Sequence, residues 1–133
     1  MCAGFRRASR ALTQLYDDAL RPLGLRANQL TILQVLSRAE DVSQGELGKM
    51  LAMDSTTLTR TLDIMERHSW IAKREGKDRR ERRLRLGKGG EVKLRRALPR
   101  WEQVQAGLRC RLGDERWDNF LKVANEVTNV VTE

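Results

Sequence analysis

A mainly α chain carrying one small β-hairpin is what the sequence predicts, and three observations predict it. Apolar residues recur at three- and four-residue steps near both ends, as Phe5, Ala8, Leu12, Leu15 and Ala19 and again as Trp117, Phe120, Leu121, Ala124, Val127 and Val131. Helix-start signatures stand mid-chain, with Ser43 three residues before Glu46 and Asp54 just ahead of a second apolar-periodic run. One span, Trp70 to Leu86, breaks the helical period. Its two short β-compatible runs flank Glu75, Gly76 and Lys77, and between Lys73 and Arg85 eight Lys or Arg residues face three acids. That short span is therefore net +5 in a chain whose net charge is +8.

Length and composition bound the classes. At 133 residues the chain is one ordinary domain, or one compact body with a helical extension, and is long enough to bury a core. A composition of 40% hydrophobic and 33% charged residues is globular. The basic balance implies a polyanionic partner or simply solubility, and the clustering of cations favours the partner. Cys2 and Cys110, with a single histidine, supply neither a disulfide framework nor a metal-ligand spacing, so no metal and no cofactor is expected. No apolar run reaches bilayer-spanning length and Met1 to Gly4 is too short for a signal peptide, so no membrane partner is expected and the cytoplasm is the expected location.

In chain order, the first amphipathic stripe makes a helix from about Phe5 to Leu20, with Arg6, Arg7 and Arg10 on its other face, and Pro22 and Gly24 end it. Asn28 to Ser37 follows as a helix with a wide apolar face, Leu30, Ile32, Leu33, Val35 and Leu36, which implies burial on several sides. Ser43 and Glu46 start a helix that runs to about Leu51, with Leu47, Met50 and Leu51 inward. After a short turn, Asp54 caps the next. A helix, a tight turn and a second helix is the arrangement that sets the second helix in a DNA major groove.

The register of that second helix puts Leu58, Leu62 and Met65 on one side and Thr56, Thr59, Arg60, Asp63 and Arg67 on the other. Ser55, Thr56 and Thr57 stand at its N-terminus, where free backbone N–H groups favour phosphate. Thr59 suits base edges or a thymine methyl, and Arg60 a guanine or a phosphate. Asp63 would be repelled by phosphate, so it is expected to lie beyond the contact or to pair with a neighbouring Arg. In the hairpin, Leu84 and Leu86 alternate with Arg83 and Arg85, and Lys77, Asp78, Arg79, Arg80 and Arg82 gather around the tip. A narrow minor groove focuses negative potential and attracts such arginines, with Asp78 close enough to orient one. A solvated charged face is the plainer alternative; eight cations directly after a groove-sized helix make double-stranded DNA the better partner. Beyond the hairpin a long helix spans Gly90 to about Leu112, with Leu94, Leu98, Trp101, Leu108 and Leu112 as its stripe and Pro99 expected to interrupt and kink it. A last helix covers Asp114 to about Val131. These helices either complete an internal core or pack with the first helix and a second subunit.

The segments LYDDALRPLGLRANQLTILQVL, MDSTTLTRTLDIMERHSWI and KDRRERRLRLGKGG together resemble the multiple-antibiotic-resistance regulator (MarR) family of bacterial winged helix-turn-helix repressors, over nearly the whole chain. The family's Asp-x-Arg falls on Asp78 and Arg80, and the glycine after the second strand on Gly90. The resemblance implies a winged helix-turn-helix with N- and C-terminal dimerisation helices, divided at residues 1–26, 27–88 and 89–133. It implies an obligate homodimer joined through the first and last two helices, for which Leu12, Leu108, Leu112, Trp117, Phe120 and Leu121 are the candidates. Arg80 would then be the minor-groove arginine and Asp78 its brace, on a pseudo-palindromic operator. Arg83, where an apolar strand residue is usual, and Gly87, where a Thr usually caps the next helix, depart from the pattern.

For release from DNA the resemblance implies either a small anionic aromatic effector bound between the dimerisation helices and the reading head, or cysteine oxidation. Cys2 ahead of the run ASRALTQLY is similar to the organic-hydroperoxide-sensing branch, and Tyr16 falls on one of its sensing tyrosines, whereas Arg6 and Leu30 occupy the positions of the others. Cys110 is expected to pack inward and His68 to sit structurally at a helix C-terminus. A thiol enzyme built on Cys2 and a winged-helix module for protein or RNA contact remain the alternatives, the first without a histidine and acid beside its cysteine.

Overall fold

The local signals at helix starts set most of the framework. The computed structural model describes residues 1–133, with α1 (Cys2–Leu20), a single 3-10 turn (Arg21–Leu23), α2 (Ala27–Arg38), β1 (Val42–Ser43), α3 (Gln44–Leu51), α4 (Ser55–Arg67), β2 (Ile71–Glu75), β3 (Arg82–Leu86), α5 (Lys88–Leu112) and α6 (Asp114–Thr132). The capping box forms as its spacing requires: Ser43 Oγ accepts from the Glu46 N–H at 3.0 Å, and Glu46 Oε2 accepts from the Ser43 N–H at 3.4 Å. Asp54 Oδ2 accepts from the Thr57 N–H at 3.0 Å and starts α4. Between α1 and α2, Asp17 Oδ1 accepts from the Ala27 N–H at 2.7 Å, so a residue of the first helix caps the second.

The strands form one antiparallel sheet in the order β1-β3-β2. In the hairpin Ile71 faces Leu86, Lys73 faces Leu84 and Glu75 faces Arg82, while Val42 and Ser43 lie opposite Leu84 and Arg83. The period-2 pattern of β3 is realised: Leu84 is fully buried and Arg85 exposed. β1 was not expected from the sequence; two residues carry no period, and Val42 and Ser43 become a strand only because β3 offers a free edge.

The core joins α2, α3 and α4 to the sheet through Leu33, Leu36, Leu47, Leu58, Leu62, Met65 and Leu84. It also takes in Leu20 and Leu25 from the N-terminal side and Leu94 and Ala97 from α5, so it crosses both residue 26 and residue 88. Burial along α5 fades: Leu94 is buried, Leu98 and Trp101 pack partly against the core, Leu108 is half-buried and Leu112 is exposed. Three readings need correction. Met50 points outward, 59% exposed, because α3 has only two turns and Leu47 with Leu51 already fills its inward face. Pro99 does not interrupt α5, which runs as one helix from Lys88 to Leu112. Cys110 is at the surface of the chain and fills no core space.

The joint between hairpin and α5 is built from main chain. The Gly87 N–H donates to the Trp70 carbonyl at 2.9 Å, and a Cβ placed on Gly90 would press into that same carbonyl oxygen and onto Leu86 Cδ1. Glycine at position 90 is thus a close-approach requirement, not a conformational one. His68 stacks on Trp70 at 4.6 Å between centroids, and the Lys93 ammonium lies over the indole 5.3 Å from the ring centre. Lys93 also donates to the Leu23 carbonyl at 2.6 Å, which ties α5 to the turn after α1.

Candidate nucleic-acid interface

The surface of α4 divides as its periodicity requires. Leu58, Thr61, Leu62 and Met65 are buried, and Ser55, Thr56, Thr59, Arg60 and Asp63 line a shallow concavity on the opposite, exposed face. Within the first turn the structure separates the candidates. Thr57 is engaged at the cap, and its hydrogen bonding to Asp54 holds that carboxyl below its ordinary value. Ser55 and Thr56 remain open. Thr59 Oγ1 accepts from Gln44 Nε2 at 2.9 Å, so the N-terminal residue of α3 adjoins the outer face of α4. Asp63 does not pair with an arginine: Lys73 Nζ on β2 lies 2.5 Å from it and 4.0 Å from Glu66, and the hydrogen bond from Lys73 lowers the Asp63 pKa.

The hairpin tip is closed by main-chain bonds, Gly76 N–H to Glu81 O and Glu81 N–H to Asp78 O, each 2.9 Å. Asp78 Oδ1 accepts from the Arg80 N–H at 3.1 Å. It therefore braces Arg80 through the backbone and leaves the guanidinium free. Lys77, Arg79 and Arg80 project into solvent, while carboxylates take up Lys73, Arg74, Arg82 and Arg83. Arg80 and Arg82 line one wall of a groove of about 580 Å³ whose other walls are Gln44, Gly48 and Lys49 of α3 and Ser55 of α4. Tip and reading helix thus border one concave, cationic surface.

One pair below the last pair before the hairpin's turn, the departure at Arg83 finds its reason. Arg74 and Arg83 are directly opposed across β2 and β3, and like charges in such a pair repel. Asp41, just before β1, lies 2.5 Å from Arg74 Nη2 and 3.4 Å from Arg83 Nε, and Arg83 also bonds Glu81 at 2.6 Å and the Asp41 carbonyl at 3.0 Å. Burial pushes the Asp41 carboxyl up, but the hydrogen bond from Arg83 and the charges of both guanidinium groups outweigh it and hold its pKa below the ordinary value. Sequence reasoning did not single out Asp41, Gln44 or Lys73. For Gln44 the available signal was its place directly after the capping serine of the first helix of the pair.

The model of the MarR family matches residues 25–81. The HTH-type transcriptional regulator YwoH of Bacillus subtilis is 30% identical over 114 residues, 86% of this chain and 83% of its own length. This chain belongs to the MarR family. Among solved structures, it superimposes on the M. tuberculosis transcriptional regulator MosR in complex with DNA with a TM-score of 0.89 at 34% identity, covering 98% of this chain and 95% of that one. For another MosR structure the TM-score is 0.81 at 35% identity, covering 98% and 91%. A mutant E. coli MarR bound to operator DNA shares the fold, with a TM-score of 0.82 at 22% identity over 92% of this chain and 89% of that one.

The remaining candidates are spread over the helical part. Trp117 is buried within the chain, Leu12 and Leu108 are half-buried, and Leu112, Phe120 and Leu121 are exposed at 43%, 39% and 44%. Cys2 is exposed at the start of α1. The Tyr16 hydroxyl, about 21 Å further along that helix by its rise per residue, bonds Gln105 Oε1 on α5, and burial raises its pKa. The fold does not bring Cys2 and Tyr16 together within one chain. No helix is long and apolar enough to cross a membrane.

Proposed function

We propose that this MarR-family protein is a dimeric, sequence-specific DNA-binding transcriptional regulator, a repressor of pseudo-palindromic operators that resides in the cytoplasm and catalyses no reaction. The observation that carries the reading is the pairing of an exposed hydroxyl- and arginine-bearing face on α4 with a hairpin tip where Lys77, Arg79 and Arg80 take no internal carboxylate. The likeness to MosR, 34% identical and solved in complex with DNA, supports it. Ser55, Thr56, Thr59 and Arg60 face the major groove, with Thr57 serving the helix start. Lys77, Arg79, Arg80 and Arg82 serve the wing, Arg80 entering the minor groove with Asp78 holding its backbone.

Dimerisation uses the exposed apolar face of α6 with α1 and the end of α5, including Leu12, Leu108, Leu112, Phe120 and Leu121, so residues 1–26 and 89–133 frame a reading head of 27–88. The groove of about 580 Å³ between α2, β3 and α5 is lined by Leu36, Leu86, Leu94 and Leu98, with Arg85 and Arg95 balanced by Glu40 and Glu91. Its apolar residues and two arginines are the contacts it offers a small anionic or aromatic effector, against the repulsion of its two carboxylates, and oxidation of exposed Cys2 is the second route to release. A thiol enzyme is disfavoured because the single histidine, His68, is stacked on Trp70 in the reading head while Cys2 opens α1.

Footprinting on the DNA flanking its own gene, with and without oxidant, tests the reading. The expected result is a two-fold-symmetric protected site lost steeply as salt rises and weakened by Arg80→Ala. Binding that ignores sequence, or that prefers RNA or a protein, would refute it.

A further inference from the structure

Gln44 opens α3 and Thr59 lies on the outer face of α4, fifteen residues later, yet the Gln44 Nε2 donates to Thr59 Oγ1 at 2.9 Å. Between exposed neutral groups such a bond adds little stability, because water serves both partners nearly as well. Its effect is orientation. The positive end of α3 favours the amide oxygen of Gln44 on the helix side and its NH₂ toward Thr59. With one lone pair occupied, the Thr59 hydroxyl keeps its proton to give. Thr61, on the buried side of the same helix, spends its proton on the Thr57 carbonyl at 2.9 Å, whereas the Thr59 hydroxyl accepts from Gln44 and donates to no carbonyl of its helix. Gln44 shares the groove of Ser55 and Arg80, and Thr59 the concavity of Ser55, Thr56 and Arg60, so the bonded pair sits where the two surfaces meet.

We propose that Gln44 is a specificity-determining residue: with Thr59 it forms one reading unit that contacts a single base pair in each half-site. Thr59 donates to an acceptor on the major-groove edge, guanine N7 or O6, thymine O4 or adenine N7, and Gln44 fixes the hydroxyl that does so. The first helix of the pair then contributes to base choice as well as to docking. This rests on the DNA-binding reading above.

The test selects duplexes randomised across the half-site with the full-length protein, with Gln44→Ala, with Thr59→Val and with the double variant, and reads base preference position by position alongside thermal melts. The expected result is a loss of preference of roughly fivefold, the worth of one neutral hydrogen bond, at the same base pair in both single variants. The double variant should be no worse than either, and Thr59→Ser, which keeps the hydroxyl, should retain the native preference. Gln44→Ala with every preference intact, even if its melting temperature falls, overturns the proposal, as does additive relaxation at two different positions. Native protein that enriches no sequence overturns the DNA-binding reading instead, and this inference with it.

Discussion

Replacing Lys77, Arg79 and Arg80 together by alanine should flatten the salt dependence of operator binding, by an amount that follows from which hairpin cations already have partners. Lys73, only 16% exposed, is held by Asp63; Arg74 and Arg83 share Asp41; Arg82 faces Glu75 at a loose 3.6 Å. A cation already neutralised by a carboxylate releases few counterions when a phosphate arrives, whereas a free one displaces nearly one. Each neutralised phosphate adds about 0.9 to the slope of log affinity against log salt. Three tip cations in each of two subunits then account for a slope of about 5, which over a fourfold rise in salt is a change of about a thousandfold in affinity. Arg74→Ala and Arg83→Ala should each move the slope by well under about 1 per subunit, with Arg82→Ala between the two classes. Fluorescence anisotropy on a labelled operator duplex across a salt series measures all of these. A triple variant with the native slope, or an Arg74→Ala protein that loses as much slope per charge as the tip, would refute the division.

Further outcomes follow from particular contacts. Gly90→Ala should destabilise the fold by about 1–3 kcal/mol, since its new methyl meets the Trp70 main chain, which cannot yield cheaply; Gly45→Ala, which meets nothing within 4 Å, should instead stabilise by about 0.5–1 kcal/mol, both read by urea unfolding. Because the folded-state pKa of Asp41 lies below its ordinary 3.8, its contribution is present above that value and is lost as pH falls through the folded pKa. The stability gap between native protein and Asp41→Asn should therefore be full at neutral pH and close on acidification, and a gap that widened in acid would contradict the clasp. Leu121→Lys should weaken self-association by at least roughly a hundredfold, as an apolar contact is lost twice per dimer; sedimentation equilibrium with an unchanged dimer would remove α6 from the interface.

What the sequence could show and what it could not divides by distance along the chain. Ser43 with Glu46, Asp54 with Thr57, and the Leu58, Leu62, Met65 face are legible because capping and helical periodicity are local. The positions of the tip residues Lys77 to Arg80 were legible for the same reason, as a turn between two short runs. Arg83 was read as a misfit because its explanation, Asp41, lies 42 residues earlier, beyond any local pattern. The Gln44–Thr59 bond and the Lys73–Asp63 pair likewise exist only once helices and strands are packed. The fading burial along α5 was hidden too: its stripe is continuous in sequence, but the first half serves this chain's core and the far end leaves it.

The seam of Trp70 against Gly87 and Gly90 makes the molecule a stiff pair of calipers. Interfaces made of side chains can absorb a small displacement by switching rotamers, whereas backbone pressed on backbone has no such slack. At 25 residues α5 is a rod of about 37 Å, so a tilt of about 5° at its far end sweeps its tip through about 3 Å, close to one base-pair step. Because the rod is welded to the residues that follow α4, that sweep is delivered to the jaw almost undiminished. A change of a few degrees where two subunits meet is enough to take one jaw out of register with its groove.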